Sequence, residues 1–220
     1  MLLLTIIGNI LNYIHFKQTL FHLQVFSVKD ALKSFPEFDT RRLVEWQAKG
    51  YIQKLVNKWY LFKEALLDEM LQYRIGNCIY RPSYISMESA LSYYHLIPEA
   101  VYSQQSVTTR KTISYKTPVG LFHYNSLKPE LYFGYHVIRK NEIPVLMADA
   151  EKALLDYLYF HPSLKTVQDM ESVRLNTTEL QNTVDWERLD KYAMVFSSAA
   201  LDRRINNLKK LLVYVDSLRN

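Results

Sequence analysis

Apolar residues in the first third of the chain recur at helical spacing, and caps and breakers divide them into short elements. Residues 9–23 carry apolar side chains three and four residues apart, which predicts a first helix; these are Ile10, Leu11, Ile14, Leu20 and Leu23. Ser27, followed three residues later by Asp30, predicts the N-cap of a second helix over 29–34. That helix should end before Pro36, because the residue preceding a proline avoids the helical conformation.

A third helix and a β-hairpin follow. Asp39 is a candidate N-cap, and residues 40–49 continue without a breaker up to Gly50, a natural left-handed helix terminator. Residues 51–55 and 59–62 are rich in aromatic and β-branched side chains, and a short segment containing Asn57 separates them, which predicts two strands joined by a tight turn. Three helices followed by a hairpin is the order of a winged helix-turn-helix. We predict such a domain over residues 1–62.

The third helix has two faces. Leu43 and Trp46 lie close together at helical spacing, and we expect them to be buried, with Val44 and Ala48 extending that side. The other side carries long polar side chains suited to the major groove. On the hairpin, Lys and Asn side chains can reach phosphates or the minor groove. The predicted DNA-binding residues are Thr40, Arg41, Arg42, Glu45, Lys49, Lys54, Asn57 and Lys58. An ordinary amphipathic surface helix has the same pattern, so this alternative stays open.

Charge favours the DNA-binding alternative. Residues 15–63 contain nine Lys and Arg against four acidic residues, a net charge of +5 that equals the net charge of the whole chain. A basic block beside a neutral remainder suits phosphate contact with counterion release, although a solvated basic surface has the same composition.

Residues 63–75 are predicted to form a connecting helix that contains Leu66, Leu67, Met70 and Leu71, and we place the linker between domains at 63–78. Residues 79–220 are predicted to form a larger α+β domain. A helix over 86–95 precedes β-rich segments at 101–109, 112–116, 120–125, 132–138 and one ending near 145, with turns at 118–120 and 140–142. A helix over 148–160 and further C-terminal helices follow. The expected fold class is α+β, with a mainly antiparallel sheet.

The last helix carries an apolar stripe at alternating spacings of four and three residues, formed by Leu201, Ile205, Leu208, Leu212 and Val215. We expect the stripe to pack on the chain's own sheet. A partner or dimer surface is the alternative, because periodicity alone does not distinguish the two.

The cysteine content and the N-terminal segment bear on the cellular compartment. The lone Cys78 has no disulfide partner in the chain and is interpreted as a small buried hydrophobe rather than a reactive thiol. Residues 1–16 are apolar but lack the basic start and cleavage site of a secretory signal, and Gly8 and Asn9 interrupt the run, so we expect a cytoplasmic protein without a membrane span.

The sequence contains no glycine-rich phosphate loop and no metal-ligand spacing, so no catalytic, cofactor-binding or metal-binding residue is predicted. An enzyme acting on nucleic acid remains an alternative. Its first candidates are His123 and His136, which lie beside Tyr124 and Tyr135 on strands expected to be neighbours.

Four segments of the predicted larger domain resemble a known family. Residues 81–99, RPSYISMESALSYYHLIPE, resemble the PSYISLESALSYYGLIPE segment of AbiEi-type antitoxins. Similar segments follow in the family's order: SVTT at 106–109, FGY at 133–135 and ADAEKALLDYLY at 148–159. His95 stands where the family commonly has Gly. With the predicted winged helix in front, the resemblance covers residues 10–215.

The resemblance implies the antitoxin of a two-gene abortive-infection locus. Such a protein represses its own operon by binding inverted repeats in its promoter, and its C-terminal domain counteracts a nucleotidyltransferase-like toxin. The resemblance implies neither toxin-contact residues nor an oligomeric state. Within the segments, Ala90, Leu91, Ala153, Leu154 and Leu155 are helix-core types, and Glu151 with Lys152 is expected to be an exposed pair rather than a functional site. A module whose winged helix binds protein is a further alternative.

Overall fold

The structure is a computed structural model that describes residues 12–98, 102–140 and 143–219. Within residues 12–62 the structure describes three helices and three strands, and these strands form one antiparallel sheet in the order β1-β3-β2. The elements are α1 (Tyr13–Leu20), β1 (Val25–Ser27), α2 (Val28–Ser34), α3 (Arg42–Ala48), β2 (Ile52–Val56) and β3 (Trp59–Phe62).

The first two helices follow the sequence signals closely. Asn12 caps α1 by accepting a hydrogen bond from the His15 backbone, and a short 3-10 turn extends the helix to Leu23; residues 9–11 of the predicted helix lie outside the described residues. The predicted N-cap of α2 is confirmed. Ser27 and Asp30 form a reciprocal capping box, in which each side chain accepts a hydrogen bond from the other residue's backbone N–H.

Helix α3 and the hairpin are also present, with shifted ends. Regular helix begins at Arg42 rather than at residue 40, because the Asp39 carboxylate accepts a hydrogen bond from the Arg41 backbone N–H at 3.0 Å and holds a tight turn before it. Gly50 has the expected left-handed conformation, with φ +73°. The predicted hairpin is confirmed, with Asn57 and Lys58 forming its turn.

The larger part is a mixed α+β unit with a mainly antiparallel sheet. The strand order is β6-β7-β5-β4-β9-β8, with parallel pairing between β4 and β9 and between β5 and β7. Its first elements are α4 (Glu69–Ile79), β4 (Ser83–Ile85), α5 (Met87–Tyr93), β5 (Ser103–Thr108), β6 (Ile113–Thr117), β7 (Gly120–Ser126), β8 (Tyr135–Lys140) and β9 (Ile143–Ala148). Strand β4 was not predicted. The first residue of the segment expected at 101–109, and residues 141–142 of the turn expected at 140–142, lie outside the described residues.

The connecting helix predicted over 63–75 begins later than expected. Asp68 caps α4 by accepting a hydrogen bond from the Leu71 backbone at 2.8 Å, so the helix starts at Glu69, and Leu66 before it is 80% exposed. From there α4 packs on β9 and β4, and its buried side chains include Ile75. Helix α4 is therefore part of the core of the larger unit rather than a connecting helix between the two parts.

The two parts of the chain are joined by apolar contacts. Val25, Leu55 and Leu61 of the three-stranded sheet share one buried cluster with side chains of α4 and with Phe122 and Tyr124 of β7. Strand β2 also lies close to β6. Burial of these side chains holds the three-stranded sheet against the edge of the six-stranded sheet.

Five helices complete the chain: α6 (Ala150–Phe160), α7 (Val167–Ser172), α8 (Thr177–Thr183), α9 (Trp186–Phe196) and α10 (Ala199–Arg219). The stripe on α10 is buried within the chain as expected, with Leu201, Ile205, Leu208 and Leu212 in the main core. Its expected contact with the sheet is wrong: α10 packs mainly on α6 and α7. Among the described residues, no helix combines the length and the apolar character needed to cross a membrane.

Candidate nucleic-acid interface

Aromatic side chains hold α3 firmly against the N-terminal core. Leu43 and Trp46 are buried as predicted, and the Trp46 ring lies 4.7 Å from the ring of Phe16. The Trp46 carbonyl accepts a hydrogen bond from the Tyr51 backbone at 2.9 Å, and the Tyr51 ring stacks on Tyr13 at 4.4 Å. The helix and the strand that follows it therefore have a fixed relative orientation.

The opposite face of α3 is accessible to a partner. Thr40, Arg41, Glu45 and Lys49 are exposed and Arg42 is half-buried. The expected burial of Val44 and Ala48 is wrong, because both are exposed and Val44 retains 69% of its surface. At about 100° per residue, both lie more than about 100° from the midpoint between Leu43 and Trp46, so they belong to the outer face.

Carboxylates partly neutralise the cations of this face. The Arg41 guanidinium lies 2.8 Å from the Asp39 carboxylate, and the Lys49 ammonium lies 2.6 Å from Glu45 one turn away. These hydrogen bonds lower the pKa of both carboxyl groups. Because the pairs are in contact with solvent, salt screens them and the cations can exchange carboxylate for phosphate.

The hairpin contributes the remaining predicted residues. Lys54, Asn57 and Lys58 are exposed, and Lys58 has φ +67° at the tip of the turn. Neither lysine forms an ion pair with any described residue, so both positive charges face solvent without a carboxylate partner. The structure therefore places the eight predicted residues on helix α3 with the residues that flank it, and on the hairpin that follows.

The structure separates His123 and His136, the candidate pair for an enzymatic function. His123 lies on β7 and His136 on β8, and three strands separate β7 from β8 in the sheet. At about 4.8 Å per strand, the two positions are about 19 Å apart, so the expectation that they share neighbouring strands is wrong. No cluster of three His, Cys, Asp or Glu side chains suited to a metal ion occurs among the described residues.

The expected exposure of Glu151 and Lys152 is also wrong, because both are buried. The Lys152 ammonium pairs with the Asp156 carboxylate, which also accepts hydrogen bonds from Tyr84 Oη at 2.9 Å and Ser86 Oγ at 2.8 Å. Burial lowers the pKa of Lys152 and raises the pKa of Asp156, whereas their mutual attraction opposes both shifts.

This buried cluster joins two of the segments on which the family resemblance rests, residues 81–99 and 148–159. Lys152 and Asp156 have no surface in contact with solvent, so the cluster is a packing element rather than a binding site. One turn of helix separates the two residues, but the sequence contains no signal that this side of α6 faces the core.

Sequence reasoning missed a second group of exposed cations, formed by Arg81, Arg110 and Lys111 of the larger part. The adjacent pair Arg110 and Lys111, at a turn between two strands, is visible in the sequence. The link to the hairpin is visible only in the structure, where the Arg81 guanidinium lies 5.3 Å from the Trp59 ring and Arg110 Nη1 donates to the Arg81 carbonyl at 3.2 Å.

Comparison with known proteins identifies no relative of this chain. No family model matches the chain, and a search of curated proteins finds no match. The geometry of α3 and the hairpin, together with the four resembling segments, is therefore the basis for assigning a function.

Proposed function

We propose that this chain is a DNA-binding autorepressor and antitoxin of AbiEi type, with residues 1–62 as a winged helix-turn-helix. The observation that carries the proposal is the outer face of α3, which is anchored behind by Leu43 and Trp46 and continues directly into a basic hairpin. The element order helix-strand-helix-helix-strand-strand and the sheet order β1-β3-β2 support the winged-helix assignment.

In this proposal α3 enters the major groove. Arg41 and Arg42 donate to guanine edges or phosphates, Glu45 accepts from cytosine amino groups, and the exposed methyl groups of Val44 contact thymine methyl groups. Thr40 and Lys49, at the two ends of the helix, contact flanking phosphates.

The hairpin acts as the wing. Lys54, Asn57 and Lys58 contact phosphates or the adjacent minor groove. The two lysines form no ion pair within the described part of the chain, and they supply charge that the partly neutralised helix lacks. Each phosphate contact releases counterions, so affinity falls steeply as salt rises.

The antitoxin role is assigned to residues 79–220, and it rests on the four segments that resemble the family. Two of them, residues 81–99 and 148–159, meet at the Lys152–Asp156 cluster, which supports their treatment as one structural unit. The proposed partners are the chain's own promoter and a nucleotidyltransferase-like toxin, which places the protein in the cytoplasm. No catalytic, cofactor or metal role is proposed.

An electrophoretic mobility shift with the chain's own upstream DNA tests the DNA-binding half. The Arg41→Glu/Arg42→Glu variant is expected to lose binding, because it reverses two charges at the centre of the interface. The matched control, Arg203→Glu/Lys210→Glu, makes the same change of charge at exposed positions on α10 and should bind normally. A normal shift by the Arg41 and Arg42 variant would refute the assignment of α3.

Co-expression separates the antitoxin half from repression. The Arg41→Glu/Arg42→Glu variant should fail to repress a reporter driven by its own promoter, yet it should still rescue growth against the toxin encoded beside it. Absence of a nucleotidyltransferase-like neighbour gene, or no rescue by the wild-type chain, would remove the antitoxin role and leave a transcriptional regulator.

A further inference from the structure

We propose that the larger domain also binds the duplex, through a phosphate-contact site formed by Arg110 and Lys111 beside the wing. This inference rests on the proposed DNA-binding function and extends it. DNA recognition by this chain would then be shared by both domains, rather than confined to residues 1–62.

The site lies on the turn between β5 and β6, where Arg110 and Lys111 are both exposed. Neither side chain forms an ion pair with any described residue. Two adjacent cations without a carboxylate partner are suited to neutralise phosphates, because no internal ion pair must be broken first.

Hydrogen bonds hold this turn in a defined conformation. The Arg110 backbone N–H donates to Thr108 Oγ1 at 3.2 Å, and Tyr80 Oη donates to the Lys111 carbonyl at 3.0 Å. The Ser126 backbone N–H donates to Thr112 Oγ1 at 3.0 Å. The backbone positions from which both side chains project are therefore set before a ligand arrives, which lowers the ordering cost of binding.

The Arg110 guanidinium is also oriented. It lies 4.3 Å from the ring centre of the buried Tyr80, and its Nη1 donates to the Arg81 carbonyl at 3.2 Å. A guanidinium that packs against an aromatic ring still has other N–H groups free to donate, and its planar fork matches the geometry of phosphate oxygens.

Contacts between the two domains connect this turn to the wing. The Arg81 guanidinium lies 5.3 Å from the ring of Trp59, the residue directly after the wing tip Lys58. Beneath these residues, Leu55 and Leu61 pack against Phe122 and neighbouring side chains. Tyr80, which contacts both residues of the turn, belongs to the same buried cluster as Leu55 and Leu61. A duplex held by the wing would therefore pass beside the turn.

Salt dependence of DNA binding distinguishes this site from a solvated basic turn. Fluorescence anisotropy would measure affinity between about 50 and 200 mM salt, with a labelled duplex from the upstream region and an unrelated duplex of equal length. In the Arg110→Gln/Lys111→Gln variant, the slope of log affinity against log salt should become shallower by about 2, since each lost phosphate contact removes about 0.9. Affinity should fall by the same factor for both duplexes, because phosphate contacts carry no sequence information.

Two control variants complete the experiment. Arg110→Lys/Lys111→Arg keeps both charges and should retain the wild-type slope. Arg203→Gln/Lys210→Gln removes the same charge from exposed positions on α10 and should leave the slope unchanged. Thermal unfolding midpoints equal to the wild type establish that each variant is folded. An unchanged slope in the Arg110 and Lys111 variant overturns this inference alone, whereas no binding of either duplex by the wild type overturns the proposed function as well.

Discussion

The buried Lys152–Asp156 pair allows a quantitative test of how the larger domain is held together. Replacing Lys152 with Met fills most of the space but leaves the Asp156 carboxylate buried without its counter-ion. Breaking a buried pair costs about 3–5 kcal/mol. Two donors, from Tyr84 and Ser86, remain on the carboxylate, and burial already raises its pKa, so that it can take up a proton. We therefore expect Lys152→Met to lower the free energy of unfolding by about 3 kcal/mol, the lower end of this range.

The reciprocal substitution, Asp156→Asn, leaves the Lys152 ammonium buried instead. Its remaining polar contact is Tyr84 Oη at 2.8 Å, and the rings of Phe133 and Phe196 lie 5.3 and 5.1 Å from the nitrogen. These aromatic faces give the cation some stabilisation. We expect Asp156→Asn to lower the free energy of unfolding by about 3–5 kcal/mol.

The double variant, Lys152→Met/Asp156→Asn, decides whether the two losses share one cause. It removes both charges and keeps an amide oxygen for the donors from Tyr84 and Ser86, so its stability loss should be smaller than the sum of the single losses by at least about 2 kcal/mol. Urea unfolding followed by far-UV circular dichroism measures all four free energies, with equal m-values as the check on a common unfolding transition. Additive losses, or single losses below about 1 kcal/mol, would refute the assignment of a buried ionic pair.

Two other perturbations test contacts within the larger domain. His161 Nε2 lies 3.3 Å from Glu88 Oε1, and this hydrogen bond raises the pKa of the imidazole. The contact therefore stabilises the fold fully below the unfolded-state pKa of about 6.5, and this stabilisation is lost as pH rises through the higher folded-state pKa. Urea titrations across this range should show a pH dependence below about 1 kcal/mol that Glu88→Gln removes, and an identical profile for that variant would exclude the contact. Gly76→Ala would place a Cβ 1.8 Å from Gln104 Nε2, so unfolding measurements should show a loss of about 1–3 kcal/mol. Adding Gln104→Ala should recover most of that loss, and no recovery would locate the strain elsewhere.

Several elements of this protein are determined by short stretches of sequence. Ser27 and Asp30 form their capping box because the two residues are only three positions apart, and Gly50 ends α3 because its own backbone favours the left-handed conformation. The hairpin strands and the apolar stripe of α10 are likewise present where their side-chain periodicity predicts them.

Burial is predicted wrongly where it is inferred from the polarity of the side chain itself. Val44 and Ala48 are apolar, yet they are exposed because the core contacts only the narrow side of α3 that carries Leu43 and Trp46. Lys152 is charged, yet it is buried because Asp156 and Tyr84 compensate its desolvation. In each case the environment of the side chain comes from other elements.

Tertiary structure alone decided which distant residues meet. The order of the six strands separates His123 from His136, and the packing of the two sheets brings Arg81 to the Trp59 ring of the hairpin. Caps, turns and periodic faces are interactions over a few residues, so the sequence determines them locally. Strand order, domain contact and the burial of a charge depend on surfaces far apart in the chain, and no local signal specifies them.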